Sequence, residues 1–201
     1  VNRACASTGV TLSVHNSLVS EAVARFGSAA LKRQYLPRLA TGELLGDSIP
    51  HTRAASVAWL PDGRAFAYTR YPDPAAVGDE EANYTRTVWW HALGDDPGHD
   101  ELVFGDLPDR TAWPAVELSR DGRWLLIEVS LGWTRGNTHV VDRITGARTS
   151  VIEGVGAVSS FTVVDDRLVG TTTLDAPRGR VVSAPLASPT PAVRTTRWSA
   201  T

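Results

Sequence analysis

With 201 residues, 42% of them hydrophobic against 21% charged, the chain has enough apolar side chain for a core, which excludes disorder along its whole length. A formal net charge of −2, from 20 basic and 22 acidic residues, sets up no basic field to draw in phosphate backbones or anionic lipid, so neither nucleic acid nor a membrane is expected as a partner. The single cysteine, Cys5, excludes an internal disulfide and a Cys-rich zinc or iron–sulfur site, and it fits a reducing compartment. No run approaches the roughly 18 apolar residues of a membrane helix, and Val1 to Val14 lack the charged-then-apolar order of a signal peptide, so a soluble, cytoplasmic location is expected. A start at valine and the lack of any methionine lead to the expectation that the chain is a piece of a product that begins upstream.

The first elements are helical. Val10, Val14, Leu18, Ala22 and Phe26 recur every four residues, which predicts one long helix from about Thr8 to Arg25, stopped by Gly27 in a left-handed conformation. Ser28 is placed to cap a second helix through Leu36, where Pro37 breaks or kinks it, since proline lacks the N–H of the helical ladder. The helical stripe predicts an apolar patch in which Val14, Leu18 and Phe26 are unusually exposed.

Near Gly46 to Pro50 the period changes to two, and all seven tryptophans lie beyond this point. Ser56–Trp59 runs through Pro61-Asp62-Gly63 into Ala65–Tyr71. Ala115–Leu118 runs through Arg120-Asp121-Gly122 into Trp124–Leu131, and Phe161–Val164 runs through Asp165-Asp166 into Leu168–Leu174. Each hairpin is followed by a third and a fourth strand: Thr87–Leu93 with Glu101–Phe104, Thr138–Ile144 with Thr149–Ile152, and Arg180–Leu186 with Ala192–Arg197. Four strands repeated every forty to fifty residues or so is the signature of a β-propeller. The fold class is therefore mainly β: about three four-stranded blades of an incomplete propeller, preceded by two short helices. A sandwich of a dozen short strands is the alternative, disfavoured because the unit repeats in order with Asp-Gly at the same place in the first two. Closed propellers have about four to eight blades, so three leave open blade edges, and self-association through them is expected.

Two family resemblances follow, one for each part. Cys5-Ala-Ser-Thr-Gly-Val-Thr-Leu-Ser-Val-His-Asn-Ser-Leu-Val19, Arg25-Phe-Gly-Ser28 and Gln34-Tyr-Leu-Pro-Arg-Leu-Ala-Thr-Gly-Glu43 closely resemble the helical N-terminal domain of acyl-CoA dehydrogenases, over residues 1–46. In that family Gly46 would lead into an Ala-Leu-Thr-Glu-Pro segment that contacts the flavin, whereas Asp47-Ser-Ile-Pro50 stands here. The resemblance therefore implies neither dehydrogenase activity nor a flavin. Residues 47–201 resemble the propeller of prolyl oligopeptidases, through Val57-Ala-Trp-Leu-Pro-Asp-Gly63, Tyr68-Thr-Arg-Tyr-Pro72, Trp89-Trp-His-Ala-Leu-Gly94, Glu117-Leu-Ser-Arg-Asp-Gly-Arg-Trp124 and Val129-Ser-Leu-Gly-Trp133. That resemblance implies a seven-bladed propeller, represented here by about its first three blades. In the family it covers an α/β-hydrolase domain, excludes large substrates, and leaves a Ser, Asp and His triad to cleave short peptides after proline.

The residues themselves supply no catalytic, cofactor-binding or metal-binding set. A nucleophile elbow requires Gly-x-Ser-x-Gly, which does not occur; the nearest approach, Gly46-Asp-Ser48-Ile-Pro50, reads as a linker. His99 among Asp95, Asp96, Asp100 and Glu101 has metal-ligating chemistry, but Gly94-Asp-Asp-Pro-Gly98 is turn chemistry and the acidic groups are expected to be solvated. Asp79-Glu80-Glu81 reads as a surface loop. Gly154-Val-Gly156 lacks the following helix that a dinucleotide site needs, and Asn83-Tyr-Thr85 is a glycosylation acceptor only in a secretory compartment. Trp59, Trp89, Trp90, Trp124 and Trp133 are expected to fill space between sheets, with the adjacent Trp89 and Trp90 on opposite faces. His91 and His139 are expected to be packed or hydrogen-bonded, and His15 is given no role.

The sequence thus reads as part of the gating propeller of a post-proline serine peptidase without its catalytic domain, fused to a dehydrogenase fragment and inactive by itself. Peptide substrate enters only if a hydrolase domain is supplied, and no cofactor is implied. The rival reading is a non-catalytic interaction module, or a non-functional product of gene rearrangement or misprediction.

Overall fold

The structure is a computed structural model and describes residues 20–41, 48–187 and 189. The chain divides between Ser48 and Ile49 into two compact units. In the first, α1 spans Glu21–Phe26 and α2 spans Ala29–Thr41. The earlier part of the expected long helix, with Val14 and Leu18, lies outside the described residues. Phe26, which belongs to the same stripe, is 86% exposed. Gly27 ends α1 in an extended conformation (φ −66°, ψ 146°), not the left-handed one expected, because the chain turns directly into α2. Ser28 caps α2 as predicted, its hydroxyl accepting from the Leu31 amide at 3.3 Å. The predicted end at Leu36 is not observed: α2 passes through Pro37 to Thr41.

The second unit consists of three antiparallel sheets. Sheet one contains β1 (Val57–Trp59), β2 (Ala65–Arg70), β3 (Thr87–Ala92) and β4 (Glu101–Phe104), and sheet two contains β5 (Trp113–Leu118), β6 (Trp124–Ser130), β7 (Gly136–Asp142) and β8 (Arg148–Ile152), each in chain order. Sheet three contains β9 (Ser159–Val164), β10 (Arg167–Thr172) and β11 (Arg180–Pro185); the predicted strand Ala192–Arg197 lies outside the described residues. A one-turn helix, α3 (Pro74–Val77), sits in the β2–β3 connection.

The repeated hairpin has a common cause. At both Asp-Gly turns the aspartate accepts from the amide two residues on, Asp62 from Arg64 and Asp121 from Arg123, each at 3.0 Å. The glycine then takes a positive φ, 70° at Gly63 and 72° at Gly122. In the third hairpin Asp165 takes the positive φ itself, at 52°, which explains why no glycine is needed there. Gly122 has a second constraint: a Cβ at this position would lie 2.7 Å from Leu60 Cδ2 and 2.9 Å from Pro61 Cδ, so the turn of sheet two packs directly on the turn of sheet one.

The core forms two layers because β6 is apolar on both faces. Leu125, Ile127 and Val129 point to sheet one and meet Ala67, Val88 and Phe104. Leu126 points the other way and, with Val140, Val151 and Ile152, meets Phe161, Leu168 and Leu186 of the third repeat. The period-two alternation of one strand therefore builds both seams between sheets. Full burial of each such aliphatic side chain contributes about 1.5–3 kcal/mol.

Candidate functional site

The first strand of each sheet has one edge without a strand partner, and such an edge exposes amides and carbonyls that must be satisfied some other way. At the seam between sheets one and two a neutral hydroxyl serves: Ser56 Oγ accepts from the Val116 amide at 3.0 Å and donates to the Val116 carbonyl at 3.4 Å. At the seam between sheets two and three two carboxylates serve. Glu128 accepts from the Phe161 amide at 2.7 Å, and Glu117 accepts from the Val163 amide at 3.0 Å and from the Thr162 hydroxyl at 2.5 Å. Alternation along β9 turns the Phe161 and Val163 amides to the same open edge, while the pairing of Ala115 with Glu128 and of Glu117 with Leu126 puts both carboxylates on the face of sheet two toward sheet three. Burial raises Glu128 above the ordinary carboxylate range, the Phe161 bond opposes this, and the charge of Glu117 adds to it.

Beside this seam is a groove of about 210 Å³ between the β6–β7 turn and the start of β9, with Glu128, Trp133, Arg135, Asn137 and Ser159 in its lining. Trp133 is 98% exposed, contrary to the expectation that it fills space between sheets, because it lies in the turn and not in a strand. The other tryptophans follow the expectation more closely. Trp90 packs toward the core between sheets one and two under Arg143 (4.0 Å), Trp89 stacks under Arg70 (3.7 Å), and Trp124 packs against the other core. Trp59 lies 4.4 Å from Phe66 but is half exposed.

Sequence reasoning placed Asp100 in a solvated turn, and here the structure differs. Its side chain is 2% exposed, accepts from Tyr68 Oη at 2.6 Å, and lies 2.7 Å from His91 Nδ1, with Arg70 Nη1 at 4.0 Å. The bonds of Tyr68 and His91 to Asp100, with Arg70 Nη1 donating to the Pro97 carbonyl at 3.3 Å, pin the β3–β4 connection to the sheet. Burial, and then the bond to Asp100, raise the Tyr68 phenol. The Asp100–His91 spacing matches the base half of a catalytic triad, yet His91 is wholly buried and its Nε2 meets no hydrogen-bond partner among the described residues. Among the described residues no hydroxyl or thiol bonds to Nε2, and what the pair does in this structure is tie the β3–β4 connection to the sheet. Asp96 instead caps the Gly98 amide at 2.8 Å, and among the described residues no group of three or more His, Cys, Asp or Glu converges as a metal site.

His139 is buried, 3.1 Å from Ser150 Oγ and 5.0 Å from the Phe104 ring, and desolvation lowers its pKa. Gly154 and Gly156 lead into strand β9, as read from the sequence. Of the acidic run, Asp79 and Glu80 are exposed and Glu81 pairs with Arg110. Arg86 was not singled out by sequence. It is 1% exposed, donates to the carbonyls of Arg53 and Ala54 at 2.9 Å and to Tyr71 Oη at 2.8 Å, and stacks 3.6 Å from the Trp113 ring. Its signal is faint, an arginine at the mouth of a strand with tyrosine and tryptophan at the mouths of two others. Arg123 holds Asp142 with two bonds, at 2.8 and 3.3 Å, which lowers the carboxyl to about 2. His15 and the Gly46–Asp47 part of the linker lie outside the described residues.

The model of the prolyl oligopeptidase N-terminal β-propeller domain matches residues 9–199, beginning inside the helical segment. Prolyl oligopeptidase A of Galerina marginata is 29% identical over 99 residues, 46% of this chain and 13% of that protein. The mitochondrial short-chain specific acyl-CoA dehydrogenase of Mus musculus is 46% identical over 46 residues, 23% of this chain and 11% of that protein. A solved prolyl endopeptidase superimposes with a TM-score of 0.67 at 28% identity, covering 77% of this chain and 23% of the solved one. The chain therefore spans a small part of the length of the relatives it matches.

Proposed function

Since the chain belongs to the prolyl oligopeptidase N-terminal β-propeller domain family, we propose that residues 47–201 are part of the gating cap of a serine peptidase that cleaves short peptides after proline. The observation that carries this is the succession of antiparallel sheets, two of four strands and one with three described, in a chain that superimposes on a prolyl endopeptidase over 77% of its length. The catalytic Ser, Asp and His belong on a hydrolase domain beyond these sheets, and the sheets supply no triad of their own. In this reading the propeller selects by size: rigid stacked sheets leave a passage that an extended oligopeptide threads and a folded protein does not.

Residues 1–46 are proposed to derive from an acyl-CoA dehydrogenase helical domain, supported by the 46-residue stretch of 46% identity. They carry no flavin role, because Asp47-Ser-Ile-Pro50 stands where the family has its flavin-contacting segment. Open sheets favour self-association, and Val57, Trp59 and Leu102, each about half exposed on sheet one, are the apolar side chains a second copy would cover. The proposed site of action is the cytoplasm; Cys5 as the single cysteine is suited to a reducing compartment, and no described helix is long and apolar enough to cross a membrane.

The test is to sequence the transcript across Gly46–Pro50 and past Thr201, express its full product, and assay proline-containing peptides. A continuous reading frame into a Gly-x-Ser-x-Gly region, with cleavage on the carboxyl side of proline, is expected. A frame that ends without a hydrolase region, or a product that does not cleave after proline, overturns the peptidase reading and leaves an interaction module or a relic.

A further inference from the structure

The two seams between sheets are capped by different chemistry, a hydroxyl at the first and a pair of carboxylates at the second. At the seam between sheets two and three, Glu117 and Glu128 accept three hydrogen bonds from β9, and neither has an ion-pair partner among the described residues. The other elements packed there offer little to balance them. β9 itself (Ser159–Val164) contains no titratable side chain, and β7 turns Thr138 and Val140 to this side while His139 faces Phe104 on the other. Asp142, next in that alternation, is already held by Arg123, and Arg135 stands at the groove rim.

Two like charges that share one face repel, and a proton on one of them relieves the repulsion without ending the acceptor role, because a protonated carboxyl retains a carbonyl oxygen for the amide. We infer that the seam between sheets two and three is a proton-responsive joint that tightens on acidification, through a proton taken up by Glu128 beside the charge of Glu117. The direction follows from linkage. Burial and the neighbouring charge raise Glu128, so the folded joint binds the proton before the unfolded chain does. The stabilisation is fully present below the ordinary carboxylate range and is lost as pH rises through the raised value. The cap of the first seam does not titrate, because it is the Ser56 hydroxyl, and the buried His139 against Phe104, lowered by desolvation, can only loosen that seam on acidification. This joint is a property of the sheets themselves and stands apart from the peptidase reading.

The experiment is native-state amide exchange on the full chain, followed residue by residue from about pH 7.5 down to about pH 4 and corrected for intrinsic rates. Protection of the Phe161 and Val163 amides is expected to rise severalfold over its own value at neutral pH as pH falls, while Val116 shows no such rise. Glu128→Gln, which keeps an acceptor oxygen and removes the charge, is expected to flatten that rise and to match or exceed the wild-type protection at the neutral end. Glu117→Gln, which removes the neighbouring charge, should flatten it in part and serves if Glu128→Gln does not fold. Phe161 and Val163 keeping constant protection, or losing it, on acidification overturns the inference. So does a Glu128→Gln chain that folds but keeps the full wild-type rise.

Discussion

The seam between sheets one and two and the seam between sheets two and three meet the same requirement in opposite ways. Both bury an apolar layer from one face of β6, and both must satisfy the open edge of a first strand. The first uses one hydroxyl, donor and acceptor at once, so a single backbone position is met in both directions without charge. The second uses two carboxylates, which accept strongly but donate nothing, and which must be held near each other. The neutral cap itself adds no dependence on pH; the charged one makes pH a variable of the fold.

The largest effects should come from the apolar layers. Leu126→Ala and Ile127→Ala remove neighbouring side chains of one strand, 1% and 0% exposed, that point to opposite seams. Each should cost about 2–5 kcal/mol, as for other buried large-to-small changes. Amide exchange should separate them, with Leu126→Ala loosening β9 and β10 first and Ile127→Ala loosening β2 and β3 first. Equal loosening of all three sheets by both variants would mean that the seams are not separate units.

Next comes Gly122→Ala, which puts a Cβ 2.7 Å from Leu60 Cδ2 at a residue with φ of 72°. A loss of about 1–3 kcal/mol is expected in chemical denaturation, combining backbone strain with displacement of the neighbouring turn. Gly63→Ala has a similar φ but nothing within 4 Å, so it should cost less, and the difference between the two measures the contact between turns. Ser56→Ala removes the neutral cap from Val116 and should cost about 1 kcal/mol with no dependence on pH. A pH-dependent loss at Ser56 would dissolve the contrast between the seams.

The smallest effect is expected at Asp142, whose carboxyl is bonded by Arg123 and lowered to about 2. Its folded pKa lies below the unfolded one, so its contribution is present above the ordinary aspartate range and fades as pH falls toward about 2. Asp142→Asn should therefore lower the melting temperature slightly at neutral pH and not at all in strong acid. Glu128 has the opposite sign, so the two carboxylates give opposed pH profiles within one sheet.

The strand order of the described sheets was legible in the sequence because periodic alternation and Asp-Gly turns are local signals. The two-faced burial of β6 was legible in part, as Leu125-Leu126-Ile127 is apolar throughout. What escaped the sequence involves groups far apart along the chain. Asp100 reads as a turn carboxylate until the β3–β4 connection folds back on Tyr68 and His91, and nothing local to Glu117 or Glu128 marks them as caps for the open edge of β9. Pro37 shows the converse error, since a local helix-breaking rule was overridden and α2 ran on to Thr41. Trp133 was read as packing by residue type, although its position in a turn was the stronger signal.

The most direct test of a size-selective cap is the specificity profile of the complete gene product on peptides of graded length around one proline. The account predicts that kcat/KM is high for peptides of about ten residues and falls steeply for those long enough to fold, which a passage between rigid sheets would exclude. Equal cleavage of short peptides and folded proteins at the same proline would contradict it.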